Sequence, residues 1–165
     1  CGPPVAVATV HWEEVLSKRR IRRVLDLSGG GAYELPEGCQ RVAVELEDRC
    51  DSNLTSVLDV CFECIDAAAD SDSPILVHCE HGKSRSSACI IAWLMKREGM
   101  SLALALNHCK RRRSRVRPNN GFFKELRALD VLYNGRDSMP LNDMEYAAWC
   151  LSHPNGTKDA QCHLL

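Results

Sequence analysis

The sequence lacks any run of eighteen apolar residues, so we expect no helix that spans a membrane. Its N-terminus has no charged stretch followed by an apolar one, which argues against a secretion signal. The chain begins at Cys1 rather than at Met, so we expect a fragment of a longer protein. With 165 residues, 45% of them apolar, it is long enough to bury its own core as one domain with a short tail.

Ten cysteines are present, yet a disulfide framework is not expected. Most of them, including Cys61, Cys64, Cys89 and Cys109, lie in apolar periodic segments, as small buried side chains do. The pair Cys61 and Cys64 has CxxC spacing, but neither a second ligand pair nor a thioredoxin-like context accompanies it. We therefore predict that these two cysteines lie in a helical core. We also expect a reducing compartment: the cytoplasm, the nucleus or both.

A net charge of −1 conceals two basic runs. Lys18 to Arg23 carries five basic residues in six, and Lys110 to Arg117 carries six in eight. Each run could be a solvated helix face, or it could attract anionic substrates, acidic partners or an import receptor. The solvated face is the better explanation of the first run. For the second run the two explanations stay open.

Alternating strand and helix patterns predict an α/β layer fold, with a mainly parallel central sheet flanked by helices. The predicted strands are 22–27, 41–46 and 75–77. The predicted helices are 11–18, 54–69, 86–96, one from the cap Ser101 to about 112, and one that opens at 118–121 and ends near 133. Residues 28–31 lack the spacing of a nucleotide-binding loop and are predicted to form a turn.

The segment with the clearest chemistry is His78-Cys79-Glu80-His81-Gly82-Lys83-Ser84-Arg85-Ser86, between a predicted buried strand and an apolar helix. Ligands of α/β sheets bind at such strand ends, and the following helix N-terminus attracts anions. The loop amides can form a concave nest around phosphate oxygens. We therefore predict a phosphate-binding loop whose binding residues are Glu80, His81, Gly82, Lys83, Ser84 and Arg85.

Three side chains of this segment receive roles from physical chemistry. The loop amides, the helix dipole and Arg85 all favour an anionic Cys79, whose thiolate would be a nucleophile at neutral pH. Arg85 can bind two phosphate oxygens with its planar fork. Ser86 can donate a hydrogen bond to the sulfur and so make it a better leaving group. The departing alkoxide or phenoxide needs a general acid, and the polar stretch after the second predicted strand offers Glu47, Asp48 and Asp51.

This ordered set of residues resembles the dual-specificity protein phosphatases, whose signature is His-Cys, five residues, then Arg and Ser or Thr. Their acid is an aspartate just past a strand and well before the cysteine, a position that Asp48 takes here, with Asp51 as the weaker alternative. Asn119, in Pro118-Asn119-Asn120-Gly121-Phe122, falls on the asparagine that supports the phosphate loop in that family. His78, beside the nucleophile, is expected to orient the loop through hydrogen bonds rather than to act as a base.

The resemblance covers about residues 5–132 and implies a dual-specificity phosphatase-like fold. Residues 1–134 are accordingly expected to form the catalytic domain. Residues 135–165 would be a C-terminal extension with a short helix near 143–151, for which Asn142 and Glu145 supply a capping box.

The resemblance also implies an activity, namely hydrolysis of phosphotyrosine and phosphoserine or phosphothreonine in proteins through a phosphocysteine intermediate. No metal or other cofactor is expected, because amides and Arg85 already supply the positive field. The expected partner is a phosphoprotein substrate, with a protein kinase as a candidate; neither nucleic acid nor membrane insertion is expected, and the oligomeric state stays open.

Two alternative functions stay open. Lys83 occupies a position where several phosphoinositide- or inositol phosphate-directed members carry lysine, although Glu80 adds an opposing charge. The second alternative is a module that binds phosphate with little turnover. The presence of Cys79 argues against it, because such modules usually lack the cysteine.

Overall fold

The computed structural model describes residues 12–29 and 33–139, together with residues 142, 144–146 and 148. Its strands are β1 (Arg23–Asp26), β2 (Gln40–Ala43) and β3 (Ile75–His78). Its helices are α1 (Trp12–Lys18), α2 (Leu58–Asp70), α3 (Arg85–Glu98), α4 (Leu102–Arg112) and α5 (Asn120–Asn134), with a 3-10 turn at Thr55–Val57 before α2. The predicted α/β architecture, a parallel sheet flanked by helices, is confirmed.

The sheet has the order β2-β1-β3, and both strand pairs are parallel. Asp26, the last residue of β1, pairs with Ala43 of β2 and with His78 of β3. The carboxyl ends of all three strands therefore meet at one edge of the sheet. The segments that follow β2 and β3 leave from this edge, which is where open α/β sheets bind their ligands.

The second strand is shorter than the predicted 41–46, and the prediction for 44–46 is wrong. The backbone N–H of Val44 still donates to the Asp26 carbonyl at 2.8 Å, but the chain then leaves the ladder. Val44 and Leu46 stay buried while Glu45 is exposed. Burial therefore alternates as in a strand, although the carbonyl of Leu46 is directed to a side chain, that of Arg85, instead of to a neighbouring strand.

Apolar side chains form one cluster on each face of the sheet. Leu16 of α1 packs with Val24 in the smaller cluster, whereas Leu25 belongs to the larger one, to which α2, α3, α4 and α5 contribute. Neighbouring residues of β1 divide in this way because successive strand side chains point to opposite faces. The larger cluster includes the cysteines that the sequence placed in buried helical segments, and that prediction is confirmed for Cys61, Cys64, Cys89 and Cys109.

The helix ends follow their capping residues. The hydroxyl of Ser101 accepts a hydrogen bond from the backbone N–H of Leu104, as the predicted cap of α4 requires. Gly99 ends α3 in the left-handed conformation, with a φ of 63°.

Over the described part of the chain, none of the helices combines the length and the apolar character that a membrane crossing needs.

Described residues beyond α5 pack back onto the domain. The ring of Tyr146 stacks on Phe123 with centroids 3.6 Å apart, and its hydroxyl donates to the Pro118 carbonyl at 3.0 Å. The capping box is confirmed, since Asn142 accepts from the backbone N–H of Glu145 while the Glu145 carboxylate accepts from that of Asn142. Residues 144–146 and 148 are helical; the other residues of the helix predicted near 143–151 lie outside the described residues. The division of the chain at residue 134 stays a prediction.

A buried carboxylate on α5 supplies the first test of this packing. Asp130 is fully buried and accepts hydrogen bonds from the backbone N–H of Leu102 at 3.0 Å and from the backbone N–H of Ser138 at 2.7 Å. Asp130→Asn replaces one of the two carboxylate oxygens with an NH2 group, so at least one of these backbone donors loses its acceptor and faces another donor. We expect the free energy of unfolding to fall by about 2 kcal/mol in denaturant titrations. Asp59→Asn, at a side chain that is 91% exposed, is the matched control; equal stability of the two variants would contradict the role of Asp130.

Candidate active site

The loop of residues 79–84 joins β3 to α3 at the ligand-binding edge of the sheet. Cys79 is the first residue of this loop and is buried. Its Sγ lies 3.3 Å from the Oγ of Ser86, in the first turn of α3. Because α3 begins at Arg85, the unpaired N–H groups and the positive dipole end of that helix face the loop. The structure thus brings the predicted nucleophile, Ser86 and a helix N-terminus together.

The surroundings of Cys79 lower the pKa of its thiol below the ordinary value. Burial by itself raises the pKa, but it is outweighed by hydrogen bonds from the hydroxyl and backbone N–H of Ser86, by one from the backbone N–H of Gly82, and by the charge of Arg85. Each of these groups stabilises the anion more than the neutral thiol. A larger fraction of Cys79 is therefore thiolate at neutral pH than for a free cysteine.

The guanidinium of Arg85 is buried, and backbone carbonyls hold its Nη1 side. Its Nη1 donates to the carbonyl oxygens of Leu27 at 3.3 Å and Leu46 at 3.4 Å, just beyond β1 and β2. Its Nη2 lies 3.4 Å from the carboxylate of Glu80, which is exposed to solvent. The Nε is buried and has no hydrogen-bond partner among the described residues. Nε and Nη2 are consequently the two donors that a bound oxyanion can engage, in the side-by-side geometry that suits phosphate.

Asp48 is linked to the phosphate loop through Ser84. The Oδ1 of Asp48 accepts from the hydroxyl of Ser84 at 2.6 Å and from the Nδ2 of Asn119 at 2.9 Å. The Ser84 hydroxyl also accepts from the backbone N–H of Asn119 at 3.0 Å, and Asn119 caps α5 by accepting from the N–H of Phe122. Asn119 therefore connects three segments: the stretch after β2, the loop and the start of α5.

The other two candidate acids are engaged elsewhere. Asp51 forms two hydrogen bonds with the guanidinium of Arg49, at 2.9 and 2.8 Å. These bonds lower the pKa of Asp51 to about 2, which favours its deprotonated form and disfavours proton donation. Glu47 lies 3.6 Å from the same guanidinium. Of the three acids, Asp48 is the one that contacts the phosphate loop.

Close packing holds the Asp48 segment against α5. A Cβ on Gly121 would lie 2.0 Å from the carbonyl oxygen of Cys50, closer than any real contact. Glycine at this position therefore lets the first turn of α5, with Asn119 as its cap, approach the backbone that follows Asp48. The sequence placed Gly121 at the start of the last predicted helix and within the family motif, but its packing role depends on a contact between distant segments, which the sequence did not show.

His78 contacts a polar network at the end of β1. Its Nε2 lies 2.7 Å from the hydroxyl of Tyr33 and 3.7 Å from Oδ1 of Asp26. Asp26 is fully buried and accepts hydrogen bonds from Ser28 and Arg41. These contacts anchor the residue directly before Cys79, in keeping with a supporting role. Sequence reasoning missed the network, although an acidic residue within an apolar strand is a signal for a buried polar partner.

The remaining loop residues surround the thiol with mixed charge. Glu80 and His81 are exposed, and Nε2 of His81 lies 3.9 Å from the carboxylate of Glu80. Lys83 is half-buried, and Gly82 adopts a φ of 61°, a conformation that favours glycine. Since Glu80 approaches the Nη2 of Arg85, an incoming phosphate competes with Glu80 for that donor. Lys83 contributes positive charge to the same loop.

A cavity of about 660 Å³ lies beside this constellation, between β3, α3 and α4. Val77, Ile90, Trp93 and Val116 supply much of its apolar lining, and Cys79 borders it. Glu80, His81, Gly82 and Ser86 also line it, whereas Arg85 and Asp48 do not, so the cavity opens onto one side of the phosphate loop. The described ranges contain no group of three His, Cys, Asp or Glu side chains placed to hold a metal ion.

Comparison with known proteins identifies the same family as the sequence motifs. The family model for the dual specificity phosphatase catalytic domain matches residues 5–131. Dual specificity protein phosphatase 1 of Arabidopsis thaliana is 35% identical over 76% of this chain and 63% of its own length. Dual specificity protein phosphatase 19 of Mus musculus is 32% identical over 81% of this chain and 61% of its own length. The crystal structure of human DUSP28 is 28% identical with a TM-score of 0.69, covering 74% of this chain and 82% of that chain.

The family that the sequence motifs indicated is thus confirmed. The chain spans less than two thirds of the length of these two curated relatives.

The environment of Cys79 predicts how its thiol titrates. Because only the thiolate reacts with iodoacetamide, alkylation follows the pH profile of the thiol, and a lowered pKa moves that profile to lower pH. Ser86→Ala removes a hydrogen bond to the anion, so its midpoint should move upward by about one pH unit. Mass spectrometry of the peptide that contains Cys79 separates this thiol from the other cysteines. An unchanged midpoint in Ser86→Ala would rule out the hydroxyl as a stabilising donor.

Proposed function

Because the chain belongs to the dual-specificity phosphatase family, we propose that it hydrolyses phosphotyrosine and phosphoserine or phosphothreonine in proteins. One observation carries the proposal: the pKa of the buried Cys79 thiol is lowered at the base of a loop that is closed by Arg85, whose Nε has no partner among the described residues and whose Nη2 an oxyanion can take over from the exposed Glu80. Phosphoproteins are the substrates, and a protein kinase is a candidate partner. The seven described cysteines are free thiols, which supports a reducing location such as the cytoplasm or the nucleus.

In the first step, the sulfur of Cys79 attacks the phosphorus atom. A phosphorus–sulfur bond forms as the ester bond to the substrate oxygen breaks, giving a phosphocysteine. Nε and Nη2 of Arg85 hold two of the transferred oxygens, while the loop amides face the third. Once the phosphate has displaced Glu80 from Nη2 of Arg85, these donors are in place, so little further reorganisation is needed as charge moves onto the phosphoryl oxygens.

Asp48 is the general acid in this mechanism. Among the described residues, both hydrogen bonds to its carboxyl group fall on Oδ1, which leaves Oδ2 to carry the transferred proton. That proton goes to the departing alkoxide or phenoxide. In the second step, Asp48 takes a proton from the attacking water, and the phosphorus–sulfur bond breaks. The hydroxyl of Ser86, 3.3 Å from the sulfur, stabilises the thiolate that leaves.

Lys83 favours a second candidate function, hydrolysis of inositol phosphates or phosphoinositides. A half-buried lysine in the loop adds a cation that a multiply phosphorylated substrate can use. Glu80 opposes this, because its carboxylate lies 3.4 Å from the guanidinium of Arg85. The protein substrate therefore comes first, and the two are separated by experiment.

Phosphate release tests the nucleophile and the substrate class together. We expect wild type to release phosphate from peptides that carry phosphotyrosine or phosphothreonine, with a chelator present, and Cys79→Ser to be inactive. Faster release from soluble inositol phosphates than from the peptides would establish the second candidate instead. Tight phosphopeptide binding without release by wild type would indicate a binding module.

The role of Asp48 is tested by its amide variant. Asp48→Asn keeps the size of the side chain but cannot donate the proton, so kcat on alkyl phosphates should fall about 10²-fold. An aryl phosphate with a good leaving group needs less protonation and should lose less. The decline of the rate at high pH, where the acid is deprotonated, should also flatten. Asp51→Asn is the matched control, and a larger loss in that variant would transfer the role to Asp51.

A further inference from the structure

The basic run that follows α4 holds the phosphate loop from outside. Arg113, the residue that caps the C-terminus of α4, donates from Nε to the carbonyl oxygen of Gly82 at 2.9 Å and from Nη2 to that of His81 at 3.2 Å. Four residues later, the backbone N–H of Arg117 donates to the carbonyl of Lys83 at 2.7 Å. Three successive loop carbonyls are thus fixed by one short segment.

The planarity of the peptide bond transmits this contact to the inner side of the loop. In a trans peptide the carbonyl and the N–H of the same unit point in opposite directions, and no described peptide bond is cis. The carbonyl of His81 shares its peptide with the N–H of Gly82, which is a donor to the Cys79 sulfur. The carbonyl of Gly82 likewise shares its peptide with the N–H of Lys83. When Arg113 holds these two carbonyls on the outside of the loop, the N–H groups of the same peptides must point to the inside of the loop, where the sulfur lies.

We propose that Arg113 is a positioning residue of the active site, which directs the backbone N–H groups of Gly82 and Lys83 at the Cys79 sulfur and the bound phosphate. The proposal rests on the proposed function in taking Cys79 as the nucleophile. A guanidinium suits this task because its N–H donors are fixed in one plane and can hold two carbonyls at once. Its charge also polarises both peptides, which strengthens the donors on their far side.

The conformation of Gly82 fits the same arrangement. Its φ of 61° lies in the left-handed region, and a Cβ there would be 3.1 Å from Nη2 of Arg113. Glycine therefore allows both the turn of the loop and the close approach of the guanidinium. The sequence showed Arg113 only as one member of a basic run; the direction of its side chain distinguishes it from its neighbours.

Arg85, on α3, also acts on the thiol, because its charge lowers the pKa of Cys79. Further ionisable side chains are Glu80, His81 and Lys83 in the loop, His78 at the end of β3 and Asp48 in the segment after β2. A substitution at position 113 leaves all of these side chains chemically unchanged, so the test changes only Arg113. The long-range charge of the run is controlled separately, with Arg115, whose side chain is exposed two residues further on.

The experiment measures alkylation of Cys79 by iodoacetamide as a function of pH in Arg113→Met, Arg113→Lys and Arg115→Met. In Arg113→Met the midpoint should rise by about one pH unit, so that alkylation below the wild-type midpoint slows about tenfold. Arg113→Lys keeps the charge but cannot span both carbonyls, and should fall between wild type and Arg113→Met. Arg115→Met, which also loses one positive charge, should titrate as wild type does.

Two outcomes would overturn the proposal. One is a wild-type profile in an Arg113→Met protein that melts at the wild-type temperature. The other is an equal shift in Arg115→Met, which would assign the effect to net charge. If Arg113→Met does not fold, the test uses Arg113→Lys, and a wild-type alkylation profile in Arg113→Lys contradicts the proposal. Because alkylation requires no turnover, the result stands apart from any failure of the phosphatase assay.

Discussion

The site depends on one electrostatic balance, in which a buried thiol is surrounded by groups that favour its anion. Burial of Cys79 disfavours the charge, so nearby groups must compensate for it. Amide donors from the loop, a hydroxyl from α3 and the guanidinium of Arg85 supply that compensation at short range. None of them would point at the sulfur in an extended chain. The fold brings them to one place at the edge of a parallel sheet, where strand ends and a helix N-terminus already meet.

Each layer of the fold contributes one support to this arrangement. The chain just beyond β1 and β2 fixes Arg85 through the carbonyls of Leu27 and Leu46. The start of α5 fixes Asp48 through Asn119, and the end of α4 fixes the loop backbone through Arg113. The groups that would meet a substrate therefore have few ways to move. Such preorganisation lowers the free-energy cost of rearranging the donors while a phosphoryl group is transferred.

From the residues themselves, the sequence predicted the parts of the site that are local in the chain, whereas the distant Asp48 and Asn119 were singled out through the family resemblance. The loop, its cysteine and arginine, and the helix behind it are neighbours in sequence, so the periodicity and spacing of residues 75–96 were enough to predict them. The end of β2 was predicted wrongly, because Val44 and Leu46 alternate in burial without belonging to a strand. Asp26, Tyr33 and Arg113 were missed. Their contacts join distant segments and depend on side-chain direction, which a single sequence does not specify.

The hydrogen bonds of Asn119 also have a consequence for synthesis of the protein. They join this residue to Ser84, 35 positions earlier, and to Asp48, 71 positions earlier. A nascent chain that has left the ribosome only as far as residue 100 already contains Cys79 and Arg85 but has no residue 119 to complete the link. Contacts of such long sequence separation form late, after the cost of closing the intervening loop has been met. The newborn chain would therefore carry Cys79 before Asn119 can hold the carboxylate of Asp48, so the nucleophile and the acid would be joined in one site only after α5 has emerged.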